Sequence, residues 1–283
     1  MTEPSFFFHF EVVACILEAM QKKKNEIRLS LDLNLTETLC RIEKDRLILY
    51  PSLFIDRETL ETISSVKNRI FLFRENALHP LEIRSNAYYK LVPTKTAPIL
   101  EIDGIKMHRS KEVDPLVDAK EKTRMIVTRD DITLDTCGGL GYSALFAVKA
   151  GAGKVVSTEK SHEVIKLRSL NPWLSKMDQD RIDFIHEDVT RYIEGFKDNL
   201  FNSVIHDPPR FTSATGDLYG KPFYDALFRV MAPKARLFHY TGSPKKIKTN
   251  DRFIMNTISR LEKSRFSAVC FRKDLQGIFA RKD

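Results

Sequence analysis

Four carboxylates end apolar runs between residues 132 and 207: Asp135, Glu159, Asp188 and Asp207. An ionised carboxylate only accepts hydrogen bonds and offers two oxygens for them. Asp135 opens a glycine turn, Asp135-Thr-Cys-Gly-Gly-Leu-Gly141, between a buried-strand pattern at 132–134 and a helical pattern at 142–150. Strand, glycine turn and helix in that order open a nucleotide-binding α/β unit. Glycine lets the backbone turn sharply and lets a ligand approach it closely. The helix start offers free N–H groups to polar or anionic ligand atoms. By itself such a turn also fits a plain strand-to-helix connection. Glu159 strengthens the nucleotide reading: it ends a second short strand 18 residues after Gly141, near the offset at which an acid meets a ribose in such units.

The pattern then repeats. Residues 182–188 read as a third strand ending in Asp188, 201–207 as a fourth leading into Asp207-Pro-Pro-Arg-Phe211, and 235–242 as a fifth ending in Tyr240-Thr-Gly242. Each polar residue falls at the carboxyl end of its strand, where open α/β sheets bind ligands. The two prolines stiffen the chain after Asp207 and hold its carboxylate and the nearby carbonyls in fixed directions.

On the phrases Leu134-Asp-Thr-Cys, Gly-Leu-Gly-Tyr142, His206-Asp-Pro-Pro-Arg-Phe211 and His239-Tyr-Thr-Gly242, residues 106–283 resemble a class I S-adenosylmethionine-dependent methyltransferase. The chain as a whole is similar to an uncharacterised archaeal family of predicted methyltransferases, through Tyr89-Lys-Leu-Val-Pro93 and Gly104-Ile-Lys-Met-His-Arg109 as well. The resemblance implies S-adenosyl-L-methionine as cofactor. It implies that Asp135, with Gly139 and Gly141, organises the loop and the methionine ammonium end; the competing role for Asp135 is a cap for the following helix. Cys137 stands where the family's first glycine falls. Glu159 is expected to accept from both ribose hydroxyls. Asp188 is expected to accept from the adenine amino group, with Val189 on the ring, and it equally suits the N-cap of a helix from Val189 onward.

Methyl transfer from a sulfonium is an in-line displacement, so positioning supplies much of the rate. The resemblance puts that step at Asp207, as hydrogen-bond acceptor or base. Arg210 stands where amino-methylating relatives carry an aromatic that stacks on a planar acceptor, and an arginine also stacks on bases and pairs with phosphate. Pro208, Pro209, Phe211 and Tyr240 are the implied substrate-binding residues. His108 and Arg109 are implied to face the active site, against the plainer reading of a solvated loop. His239 reads as a buried hydrogen-bonding group more readily than as a base.

Hydrophobic periodicity supplies the elements that must position these residues. An amphipathic helix is expected over 7–24 and a strand over 27–35, where apolar and polar residues alternate. Strands at 38–42, 46–50, 68–74, 78–84 and 87–92 and a helix over 56–66 capped by Asp56 complete a small strand-rich α+β domain over residues 1–98. After the proline-bounded connector 93–98, residues 99–283 are expected to form a Rossmann-like α/β domain. Its parallel sheet, with right-handed crossovers, ends in an antiparallel hairpin at 266–271 and 277–281.

Composition bounds the rest. The chain has 283 residues and a net charge of +8, and residues 234–283 carry thirteen Lys and Arg against four Asp and Glu. Such a basic segment suits an anionic partner, RNA above all, or is a solvated basic face. The four cysteines (Cys15, Cys40, Cys137, Cys270) are widely spaced, so neither a disulfide framework nor a metal site is expected and a cytoplasmic setting is the default. The apolar start carries Glu11 and Glu18 and no basic leader, and no run approaches the roughly 18 apolar residues of a membrane span. The leading expectation is a methyltransferase acting on RNA (tRNA or rRNA). The alternatives are a methyltransferase of a protein or small metabolite, a polyamine aminopropyltransferase on the same fold, and a non-catalytic RNA-binding protein.

Overall fold

The computed structural model describes residues 5–50, 52–178, 180–213, 215–242 and 247–283. The chain divides into two compact units, Met1–Pro115 with Ser169–Leu174, and Leu116–Arg168 with Ser175–Asp283.

In the first unit, β1 (Phe6–His9) and α1 (Phe10–Gln21) are followed by β2 (Glu26–Leu29), β3 (Thr38–Glu43), β4 (Arg46–Tyr50), β5 (Leu53–Asp56) and α2 (Arg57–Ser64). Then come β6 (Ile70–Arg74), β7 (Ala77–Pro80), β8 (Glu82–Arg84), β9 (Tyr88–Val92), β10 (Ile99–Ile102) and β11 (Ile105–Lys106). They form three antiparallel sheets, ordered β1-β6-β7, β2-β3-β4-β5 and β11-β10-β9-β8. Helix α1 buries Val13, Ile16, Ala19 and Met20, one face at helical spacing, in a core with Phe8, Leu47, Ile55, Leu60 and Ile63. Asp56 caps α2 by accepting from the Thr59 N–H at 2.9 Å.

Three expectations change here, the first being the strand expected over 78–84, which divides into β7 and β8 of different sheets. The helix expected from residue 7 begins at Phe10, because Phe6-Phe-Phe-His9 pairs with β6 as an edge of the first sheet; runs of aromatic residues favour a pleated surface. The strand expected over 27–35 stops at Leu29. Asp32 accepts from the backbone of Leu35 and Thr36, and Leu33 and Asn34 take positive φ, so local side-chain bonds replace the ladder. β10 pairs with β9, so a sheet of this unit runs across position 98/99. Trp173 lies in the returning segment and donates its indole N–H to the Leu33 carbonyl at 2.9 Å.

Helix α3 (Pro115–Ile126) leads into the second unit: β12 (Ile132–Asp135), α4 (Tyr142–Ala150), β13 (Lys154–Glu159), α5 (His162–Leu170), β14 (Ile182–His186), α6 (Val189–Tyr192) and β15 (Phe201–His206). It continues with α7 (Lys221–Val230), β16 (Met231–Tyr240), α8 (Ile247–Lys263), β17 (Ser267–Arg272) and β18 (Gly277–Arg281). The seven strands are ordered β14-β13-β12-β15-β16-β18-β17. The first five are parallel, and β18 and β17 close the sheet as an antiparallel hairpin. This is the expected Rossmann-like sheet. Its strand order reverses between β12 and β15, the place where open sheets of this kind leave a crevice. Among the described residues no helix is long and apolar enough to cross a membrane.

Gly277 pairs with Tyr240 where β18 meets β16, and a Cβ there would run into the Phe238 ring and the His239 carbonyl. Gly277→Ala is therefore expected to lower stability by about 1–3 kcal/mol, the usual range for overpacking. Urea unfolding checks this, and an unchanged midpoint would contradict the close packing of the hairpin.

Candidate active site

The glycine turn sits between β12 and α4. Gly138 has no room for a side chain, since a Cβ would meet Ser157 Oγ and the Thr158 carbonyl. Its N–H donates to that carbonyl at 2.8 Å, which ties the turn to the end of β13. Gly141 has φ +86° and starts α4; a Cβ there would press on Met177 and Phe184. Gly139, at φ +50°, donates its N–H to Glu159 Oε2 at 3.0 Å. The sequence reading named Gly139 and Gly141 and missed Gly138, whose constraint comes from a strand 19 residues on.

Asp135 is fully buried. Its Oδ2 accepts from the Ser157 hydroxyl at 2.9 Å, and its Oδ1 has no hydrogen-bond partner among the described residues. It does not cap α4, whose N-cap is Gly141 with no side-chain bond. Glu159, at the end of β13, also accepts from the Ser161 N–H at 2.9 Å. Asp188 does cap α6: Oδ1 accepts from the Thr190 N–H at 3.0 Å and hydroxyl at 2.7 Å, which holds its pKa below the ordinary value although burial works the other way. Its Oδ2 lies 4.0 Å from Lys160 Nζ. A cleft of about 550 Å³, open solvent included, is lined by Cys137, Glu159, Asp188, Val189, Pro209 and Leu218 among others. Burial pushes the Cys137 thiol up, so it stays protonated. Arg168, unremarked in the sequence, is buried beside the turn, with its guanidinium 4.1 Å from the Phe184 ring centre and 3.4 Å from the Gly139 carbonyl.

Asp207 follows β15. Its Oδ2 is 2.8 Å from Nζ of Lys122, which also lies 2.7 Å from Asp118 Oδ2 and 4.0 Å from the centre of the Tyr240 ring. Lys122 is the main residue that sequence reading missed. The signal was present as Asp118 and Lys122 one helical turn apart, but that spacing usually marks a solvated pair, and Asp207 is 85 residues away. Pro208 is buried, while Pro209 and Arg210 are exposed. The Pro209 carbonyl accepts from the buried Tyr219 hydroxyl at 2.8 Å. Phe211 is 52% exposed and packs its edge on Tyr219 and Phe253. His108 and Arg109 follow β11 in the first unit, where His108 Nδ1 accepts from the Leu100 N–H at 3.3 Å.

His206 and His239, at the ends of β15 and β16, are buried and neutral. His206 Nε2 donates to the Leu218 carbonyl at 2.9 Å, so its Nδ1 accepts from the Thr136 hydroxyl at 2.7 Å; burial lowers its pKa to about 4. His239 accepts from Tyr224 at Nε2, and burial takes it well below the ordinary histidine value. Both are structural hydrogen-bonding groups, as read for His239.

Burial lifts the Asp135 carboxyl to about 7, with Asp207 and Glu159 adding to the rise against Ser157 and Arg168. An unfolded Asp titrates near 3.9, so between about pH 4 and 7 the folded chain holds more protons and the contribution of Asp135 to stability falls as pH rises. Asp135→Asn is expected to gain stability on wild type as pH goes from about 4 to 8. Parallel denaturant titrations test this, and a pH-independent difference would contradict it.

No family model matches the chain. It is 38% identical over 269 residues to the uncharacterized protein MJ1233 of Methanocaldococcus jannaschii, which spans 94% of this chain and 92% of that protein. A shorter match, 32% identical over 85 residues, is to ribosomal RNA large subunit methyltransferase I of Escherichia coli and spans 29% of this chain and 21% of that protein. Among solved structures, a spermidine synthase in complex with the transition state analogue AdoDATO is similar with a TM-score of 0.57 at 18% identity, over 74% of this chain and 77% of that one; this likeness is one of fold. The extent and identity of the first match settle the affiliation: the chain belongs to the family of protein MJ1233.

Proposed function

We propose that this protein is an S-adenosylmethionine-dependent methyltransferase whose acceptor is RNA. The observation that carries the proposal is the gathering of Asp135, Glu159 and Asp188 at the carboxyl ends of neighbouring parallel strands, with Asp207 across the switch point. The residues fit the cofactor. Asp135 Oδ1 is a buried oxygen without a donor among the described residues, and an ammonium group is a donor of the right charge. Glu159 and Asp188 line the cleft and retain lone pairs for ribose hydroxyls and an adenine amino group. Val189 is apolar and lines the same cleft. The carboxylates Asp118, Asp135, Glu159 and Asp207, buried or partly buried, outnumber the cations Lys122 and Arg168 among them, which favours a cationic ligand.

The cofactor supplies an electrophilic methyl group on sulfur. Asp207, held by Lys122 on one oxygen, orients an acceptor N–H by accepting from it. The Tyr219 bond to Pro209 keeps the Pro-Pro backbone in one position. Arg210 and the exposed Phe211 offer phosphate pairing and a stacking face, contacts that hold the backbone and an unstacked base of RNA. The excess of Lys and Arg after residue 234 supports the same partner, although Lys245 and Lys246 lie outside the described residues.

Calorimetry with S-adenosylmethionine and its decarboxylated form is the first test. Tight binding of the carboxylated form is expected, with Glu159→Ala weakening it at least about tenfold, the cost of losing charged hydrogen bonds. Unmodified tRNA and rRNA transcripts should then take up labelled methyl groups, and Asp207→Asn should lower kcat with cofactor affinity unchanged. Preference for the decarboxylated form would turn the assignment to aminopropyl transfer. Label in protein rather than RNA would remove the RNA acceptor.

A further inference from the structure

Lys122 carries its ammonium group into a cage. The side chain is 5% exposed, and that of Asp118 7%. Two carboxylate oxygens, Asp118 Oδ2 at 2.7 Å and Asp207 Oδ2 at 2.8 Å, meet the nitrogen. The Tyr240 ring covers it with its centre 4.0 Å away, and Phe238 lies further out at 6.0 Å. Two carboxylates and an aromatic face are the groups that bind an alkylammonium ion: the carboxylates supply charge and acceptors, and the ring face adds cation–π attraction. Burial works against the charge on Lys122, but Asp207 and Asp118 more than offset it. The residue that fills the cage comes from the chain itself, and Asp207, 23% exposed, is the member that also opens outward.

We infer that Lys122 is the built-in occupant of an amine site, and that by filling it Lys122 makes the cleft refuse free aliphatic amines. The consequence for substrate class rests on the proposed methyl transfer. With one Asp207 oxygen committed to Lys122, the acceptor is a neutral N–H group of a base and not a cationic alkylamine. Lys122 is thus a specificity-determining and positioning residue. An acid left unpaired at this place would attract polyamines and lysine side chains; the internal cation cancels that attraction and keeps the carboxylate pointed.

The test replaces the side chain and offers its missing part back. Lys122→Ala removes the atoms of n-propylammonium. That ion is expected to raise the melting temperature of Lys122→Ala and to bind it, by calorimetry, at least about tenfold more tightly than wild type. Lys122→Met refills the cage with an apolar chain and is expected to bind no propylammonium. Equal binding to wild type and Lys122→Ala, no binding to a folded Lys122→Ala, or binding to Lys122→Met equal to that of Lys122→Ala would each overturn the inference. Should Lys122→Ala not fold alone, recovery on refolding with propylammonium but not with tetramethylammonium supports it, and recovery with both or neither overturns it. Binding of S-adenosylmethionine to wild type and Glu159→Ala is read separately. Its failure would sink the methyl-transfer reading and leave the amine cage standing.

Discussion

Polar side chains inside the parallel sheet of the second unit have to find partners within that sheet. Strands buried on both faces are ordinarily apolar, and a buried polar group without a partner is costly. Here Thr133 meets Ser203 at 2.8 Å across β12 and β15, Asp135 meets Ser157 across β12 and β13, and Thr158 donates to the Thr136 carbonyl at 2.9 Å. These bonds lock β12 to β13 at their carboxyl ends and to β15 midway along it. The glycine turn can then lie flat against β13, because Gly138 leaves room for Ser157. Among the described residues one atom of this arrangement, Asp135 Oδ1, is left without a partner.

A second layer stiffens the part of the sheet formed by β15 and β16. His206, His239, Tyr219 and Tyr224 stack and bond to each other and to backbone carbonyls. Burial holds the histidines neutral and the phenols protonated. None of these groups is poised to exchange a proton near neutral pH. Their work is mechanical: they fix the exit of β15 and β16, so that Asp207 meets Lys122, and Lys122 the Tyr240 ring, at set distances.

The acids at strand ends and the succession of strands along the chain were legible because each acid ends an apolar run and the runs are separated by helical patterns. Asp188 shows where such reading divides. Both of its roles were visible, and the structure realises the cap through Oδ1 while the cleft-facing role stays open to Oδ2. Lys122 and Gly138 were not legible, since each is defined by a neighbour brought in from another strand or helix. The overlong strand at 27–35 failed for a different reason. Its alternation was real, but Asp32 satisfies the backbone locally, and left-handed residues at 33 and 34 end the pleat.

The bond from Trp173 to Leu33 has a temporal meaning. The first unit is discontinuous in sequence, and the segment Ser169–Leu174 that completes it follows α3, β12, α4 and β13. On the ribosome, the Leu33 carbonyl waits for its indole donor until more than half the chain has been made. The single tryptophan thus reports the completion of the first unit, a late event, even though nearly all of that unit is encoded early.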